Sequence, residues 1–231
     1  MQITIHQLLN GAKEAKGLTV IIDVFRAFST ACYLYDQGVE RIIPVSSVPE
    51  AFELKKNNPN YILLGEVNEH VPEGFDFGNS PTLIKGMDFT GRTVVHRTSS
   101  GTQGLVYAKN ATEVITGSFV NAPAIVEYIK RQNPEQVSLV CMGYATMYPT
   151  EEDTFCAEYI KFALEYQLFN MDEVIEQIKR TSGKRLFEPQ NQKHSPSNDF
   201  YMCTDVGRFN FILKAEKNTD GSLWLRKIPI E

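Results

Sequence analysis

Paired cysteines are missing from this chain. Its four cysteines, Cys32, Cys141, Cys156 and Cys203, are scattered without a CxxC pair. Neither a zinc site nor a disulfide framework is indicated, and buried, reduced thiols are expected. Long apolar runs are missing as well. No stretch approaches the roughly 18 residues of a membrane span, and Met1-Gln2-Ile3-Thr4-Ile5-His6 lacks the basic segment and apolar core of a signal peptide. A cytoplasmic protein with no membrane partner is therefore expected. An excess of basic residues is the third absence. The net charge is -5, which argues against nucleic-acid binding, since that requires a basic surface to displace counterions. An anionic small ligand would need a local basic pocket. Internal repeats, low-complexity tracts and clear linkers are also absent, so residues 1-231 are expected to form a single compact unit, with room for two lobes.

What remains is ordinary globular composition, 42% hydrophobic and 22% charged, arranged as alternating apolar strands and helices. Strands are expected at 3-5, 19-24, 41-45, 61-64, 92-96, 113-116 and 137-141. Helices are expected at 7-15, 27-37, 48-56, 81-85, 103-109, 121-131 and 150-166. Beyond residue 171 the pattern weakens to a helix, a polar loop over 189-198, a short helix from Asp199 and two extended segments at 209-215 and 223-228. Repeated strand-turn-helix units predict an α/β fold whose polar turns converge on one rim.

The turns carry the candidate chemistry. Leu64-Gly65-Glu66 and Gly74-Phe75-Asp76-Phe77-Gly78-Asn79-Ser80-Pro81 put acids, an amide and a hydroxyl into one glycine-rich loop. Glu66, Asp76 and Asn79 are candidates for a cation or polar substrate. The loop is read equally as polar surface with Asn79 or Ser80 capping a helix from Pro81. Asp23 ends an apolar strand and Arg26 opens the next helix, an arrangement for a metal and an anion or for an internal ion pair. Arg97-Thr98-Ser99-Ser100-Gly101-Thr102 offers hydroxyl and backbone donors to a phosphate or sulfonate without P-loop spacing. Of the neighbours His96 and Arg97, which face opposite sides of a strand, Arg97 is favoured for the site. Ser99 and Ser100 would be nucleophiles only with an adjacent base, so anion binding or N-capping is the expectation. Glu151, Glu152 and Asp153 complement the dipole of the helix capped by Thr150, and Asp153 is the one chosen as a further metal ligand.

Taken together, Asp23-Val24-Phe25-Arg26-Ala27, Leu64-Gly65-Glu66, Gly74 to Pro81, Thr98 to Thr102, Gly117-Ser118 with Asn121, Cys141 with Gly143, and Glu152-Asp153 resemble the 2-phosphosulfolactate phosphatase family. The likeness covers residues 18-165 and, more loosely, 199-213. It departs at Ser99-Ser100, where the family pattern carries Thr-Asn, and in the link after Glu66. The resemblance implies a three-layer α/β/α fold particular to the family and a Mg2+-dependent hydrolysis of 2-phosphosulfolactate to sulfolactate and phosphate, a step on a route to coenzyme M. It implies catalytic roles for Asp23, Arg26, Glu66 and Asp76. Mg2+ is expected on Asp23, Glu66, Asp76 or Asp153. The small anionic phosphorylated substrate is expected on Arg97, Thr98, Ser99, Ser100, Gly101, Thr102, Asn79, Ser118 and Asn121. Competing readings are a phosphatase for another phosphorylated hydroxy acid, a metal-independent lyase or isomerase, and a non-catalytic anion-binding protein. Apolar strand edges and surface aromatics are compatible with a homodimer.

Overall fold

The computed structural model describes residues 1-218 and 221-231. In chain order the elements are β1 (Gln2–Gln7), α1 (Leu8–Glu14), β2 (Gly17–Ile22), α2 (Ala27–Asp36), β3 (Arg41–Val45), α3 (Val48–Asn57), β4 (Ile62–Gly65), α4 (Pro81–Ile84), β5 (Thr93–Arg97), α5 (Gly101–Tyr107), β6 (Ala111–Gly117), α6 (Ala122–Gln132), β7 (Gln136–Cys141), α7 (Glu151–Leu164), α8 (Met171–Arg180), α9 (Asn198–Cys203), β8 (Phe211–Lys217) and β9 (Leu223–Pro229). Most lie within a residue or two of the positions read from the sequence. The polar stretch read as loop, 189–198, holds a short 3-10 turn at Pro189–Asn191, and another at Ser182–Phe187 precedes it.

The strands form one nine-stranded sheet in the order β1-β7-β2-β6-β8-β9-β3-β5-β4. Two parallel groups, β1-β7-β2-β6 and β3-β5-β4, are joined by the antiparallel β8-β9 hairpin. Helices cover both faces, which makes a three-layer α/β/α fold. Side chains alternate between faces along each strand. On β2, Leu18, Val20 and Ile22 pack with Ile125 and Ile129 of α6 and with Ala157 and Ile160 of α7, whereas Ile21 joins Ala27, Phe28 and Ala31 of α2 on the other face. In the second group, Ile43, Val45, Leu63 and Val95 pack with Ala51 of α3, and Ile42, Leu64 and Val94 return to the α2 side. All four cysteines are free and buried. Among the described residues no helix is long and apolar enough to cross a membrane.

The two parallel groups run in opposite senses along the sheet, so their carboxyl ends would diverge if it were flat. In the folded sheet the ends of β2 and β5 nevertheless meet. The link is explicit: Gly101 N, after β5, donates to Asp23 Oδ2, after β2, at 2.8 Å.

Candidate active site

The ends of β2, β4, β5 and β7 open into a narrow polar cleft. The turn after β2 supplies Asp23, Phe25 and Arg26, and the long loop after β4 supplies Glu66, Asn68, Glu69 and Asn79. Ser99 and Ser100 follow β5, and Gly143, Tyr144 and Ala145 follow β7. Arg185 reaches in from the 182–187 turn.

Asp23 is buried at the centre. Its Oδ1 accepts Ala27 N at 3.1 Å, and its Oδ2 accepts the Gly101 N–H. A Cβ at residue 101 would stand 2.9 Å from Asp23 Oδ2 and 2.8 Å from Ala27 Cβ, so glycine is what allows this close approach. Burial, reinforced by the charges of Glu66 and Glu152, pushes the Asp23 carboxyl up to about 7, against the two N–H donors that favour its charged form.

Glu66 is gripped by its neighbours. Ser99 N donates to Oε1 at 2.6 Å, while Glu69 N at 2.7 Å and Ser99 Oγ at 3.1 Å donate to Oε2. The preceding Gly65 has φ +152°, and a side chain there would collide with the Arg97 carbonyl. Arg97 braces this turn from behind through Glu66 O and Ser99 Oγ and does not line the cleft.

Arg26 is fixed by a buried ion pair. Its Nη1 donates to Asp199 Oδ2 at 2.7 Å and to His194 O at 2.8 Å. Asp199 is 0% exposed and also accepts Ser80 Oγ at 2.8 Å and Thr82 N at 3.0 Å. A single buried carboxylate thus ties the start of α4 to the arginine, which lines the cleft. Asn79 is oriented by His96, whose Nε2 lies 3.2 Å from Asn79 Oδ1. Burial lowers the His96 pKa to about 4, so the ring is neutral, and in the tautomer protonated at Nε2 it donates to the Asn79 oxygen and leaves the amide N–H groups turned away.

Several expectations are corrected by this geometry. Asp76 stands outside the cleft and is 39% exposed in its side chain. Residues 76–77 run back along the open edge of β4, where Asp76 Oδ2 accepts Leu63 N at 2.8 Å and pairs with Lys55 at 3.1 Å. It satisfies a sheet-edge donor, a placement that fits neither catalysis nor metal binding. Thr98 and Thr102 also turn away, bonding reciprocally at the start of α5: Thr98 N donates to Thr102 Oγ1 at 3.0 Å and Thr102 N to Thr98 Oγ1 at 3.2 Å. Ser118 and Asn121 form a buried capping box before α6, and Asn121 reaches Phe211 O. The Asp153 oxygens accept Val24 N and Gly143 N, each at 2.8 Å, which clamps the ends of β2 and β7. Thr150 makes no side-chain cap bond; Ser80 does cap α4, as one reading of its loop held.

Other participants were not singled out from the sequence. Arg185 donates to Glu69 Oε1 at 2.9 Å and lies 3.6 Å from Glu152 Oε1, with Tyr144 stacked on its guanidinium. The basic run Gly183-Lys184-Arg185 was a signal of charge, but nothing local aims it at a site more than a hundred residues upstream. Glu152, 2% exposed, leaves Oε2 buried without a hydrogen-bond partner. Burial and the neighbouring Glu152 and Asp23 also hold the Asp153 carboxyl well above the usual carboxylate range.

This surplus of buried acid is the observation that bears on a metal. Among the described residues no three His, Cys, Asp or Glu side chains converge into a cage. Asp23 and Glu66, lining the cleft with Glu152 behind them, suit a hard cation that keeps most of its water and needs only one or two carboxylates.

A polar cleft at strand ends, with fixed arginines beside clustered acids, defines this as an α/β protein with a site for a small polar molecule. Comparison with known proteins narrows the class. The profile of the family described as 2-phosphosulpholactate phosphatase matches residues 3–218. A probable 2-phosphosulfolactate phosphatase of Bacillus subtilis is 30% identical over 94% of this chain and 95% of its own length. Its namesake in Thermotoga petrophila is 37% identical over 84% and 86% of the two chains, and that of Thermotoga maritima 32% identical over the same shares. The chain belongs to the 2-phosphosulpholactate phosphatase family.

Proposed function

We propose that this protein is a Mg2+-dependent phosphoric monoester hydrolase that converts 2-phosphosulfolactate and water to sulfolactate and phosphate. The observation that carries this reading is the pairing, in one cleft, of a fixed arginine with a surplus of buried acid. The acids around Asp23 repel an anionic substrate unless a cation accompanies it, and Arg26 supplies an anion contact that Asp199 keeps in place. Family membership supplies the substrate class, and through it a role on a route to coenzyme M.

In this mechanism Asp23 and Glu66 would hold the ion, and it would supply positive charge to the phosphoryl oxygens. Arg26, which lines the same cleft, binds those oxygens. Asn79, set by His96, donates from its amide. The Glu66–Ser99 contacts hold the turn after β5 against the loop after β4, so the two carboxylates keep one separation through turnover. Water attacks phosphorus as the ester P–O bond breaks, and a proton given up by that water passes to the departing alkoxide, so the products are the hydroxy acid and phosphate. The raised Asp23 pKa belongs to the metal-free site; with an ion held there Asp23 would be an ionised ligand. The Ser100 hydroxyl donates to Gly143 O at 2.8 Å and accepts Thr146 N at 3.1 Å, so it shapes the wall after β7 and is not free to attack.

The test is phosphate release from racemic 2-phosphosulfolactate with and without Mg2+, beside phosphoglycolate, phospholactate and an aryl phosphate. Mg2+-dependent release favouring the sulfonated ester is expected. Release from the other esters alone removes the named substrate, and release from none removes the phosphatase reading.

A further inference from the structure

Arg185 is the cation of the cleft that Asp199 does not control, and its surroundings are those of an anchored but contested group. Its guanidinium lies against two rings, 5.8 Å from the centroid of Phe25 and 5.3 Å from that of Tyr144, which fixes its plane. Nη1 donates to Ser182 O at 2.9 Å and faces the buried Glu152 Oε1 at 3.6 Å. Those contacts would hold the charge in place with or without a further partner. On the remaining edge, Nη2 reaches Phe25 O at 3.3 Å and Nε donates to a single oxygen of Glu69 at 2.9 Å. Glu69 is partly exposed at the rim, on a loop whose residues Asn68 and Glu69 both adopt positive φ. One oxygen on one nitrogen leaves unused the two-pronged fit that an arginine edge offers to a planar or tetrahedral acid.

We infer that Arg185 receives the acid group of the substrate that is not transferred, and that Glu69 competes with that group for the same guanidinium edge. This rests on the phosphatase reading above, because the ester named for the family carries a carboxylate and a sulfonate besides its phosphate. Arg26 and the cation engage the phosphoryl group, and Arg185, bonded to the carbonyl of the residue before Arg26, stands beside it. The pair then sets specificity: an ester without a second acid has nothing to displace Glu69. A purely structural role for the Arg185–Glu69 pair, clasping the 182–187 turn to the loop after β4, predicts the opposite response to loss of Glu69.

Calorimetric titration with Mg2+ present separates the two. The ligands are sulfolactate, which has the second acid but no phosphate, and inorganic phosphate. Arg185→Gln is expected to lower the sulfolactate-to-phosphate affinity ratio by at least about tenfold, the size of one lost charge-assisted contact. Arg185→Lys restores it only in part, since an ammonium lacks the fork. Glu69→Gln raises the ratio by about threefold or more, because a competitor is removed. Thermal unfolding of each variant monitors the fold, and if Arg185→Gln does not fold, the lysine variant and Glu69→Gln carry the test. A ratio that falls or stands still in Glu69→Gln overturns the inference. Equal loss of both ligands in the Arg185 variants does the same. If the native protein hydrolyses an aryl phosphate but binds no sulfolactate, the inference fails and the phosphatase reading stands; if it does neither, both fail.

Discussion

Replacing Asp199 with alanine should damage this protein twice, in stability and in substrate affinity. The carboxylate is fully buried and accepts Arg26 Nη1 at 2.7 Å, Ser80 Oγ at 2.8 Å and Thr82 N at 3.0 Å. Its removal strands a buried guanidinium whose other Nη1 partner, His194 O, is uncharged. Breaking one side of a buried pair costs about 3–5 kcal/mol, most of it from the uncompensated charge that remains. At roughly 2–4 °C per kcal/mol for a chain of this size, the melting temperature should fall by about 6–20 °C. Asp199→Asn keeps an oxygen for Ser80 and Thr82 but turns an amide N–H toward the arginine, so it should recover part of the stability and little of the affinity. The assays are denaturant or thermal unfolding beside steady-state phosphate release. KM should rise by at least about tenfold in both variants, the equivalent of one lost charge-assisted contact. If Asp199→Ala melts within about 2 °C of the native protein, or if both variants keep the native KM, Asp199 does not position Arg26 and the argument is wrong.

Other perturbations test separate parts of the site. Asp76→Ala should retain turnover within about threefold and lose about 1 kcal/mol of stability, the scale of one edge hydrogen bond with a partly exposed ion pair; loss of activity without unfolding would return Asp76 to the chemistry. Gly101→Ala should cost about 1–3 kcal/mol through crowding and depress activity by displacing Asp23, and a crystal structure of an active variant with Asp23 unmoved would contradict this. For metal-free protein, the raised Asp23 pKa means that its stabilising contribution is present below about pH 4 and is lost as pH rises through about 7. The melting temperature of the native protein should therefore fall relative to Asp23→Asn across that window; parallel curves would refute the shift. Adding Mg2+ above pH 7 should raise the native melting temperature and leave Asp23→Asn nearly unmoved, by the mass action of a ligand on the folded state. An equal rise in both would place the ion elsewhere.

Much of the fold was legible because its signals are local. Short apolar runs such as Thr19 to Ile22 and Val137 to Cys141 read as strands covered on both faces, and Ser80-Pro81 or Ser47 ahead of Val48-Pro49 mark helix starts through a side-chain cap and a fixed φ. Asp23, Arg26, Glu66, Asn79 and Ser99 could be named for the same reason: each sits in a polar turn directly after an apolar strand or at its far end. Chain order also carried the family motifs, and with them the class of chemistry.

Direction and depth were decided only by tertiary structure. Two acids in one loop look alike in sequence, yet Glu66 turns into the cleft while Asp76 closes the edge of β4, because that edge has an unpaired Leu63 N–H. Glu152 and Asp153 are consecutive on a helix and must point in different directions, and the free N–H groups of Val24 and Gly143 claim Asp153. Arg185 and Asp199 join the site from segments without strong periodicity, across a separation that no local pattern spans. The sequence by itself determined which segments become strands, helices and polar turns, since propensity and hydrophobic period act over a few residues. The meeting of the β2 and β5 ends, where the Gly101 N–H reaches Asp23, and the pairing of buried backbone donors with nearby carboxylates decided which of the polar residues face the cleft.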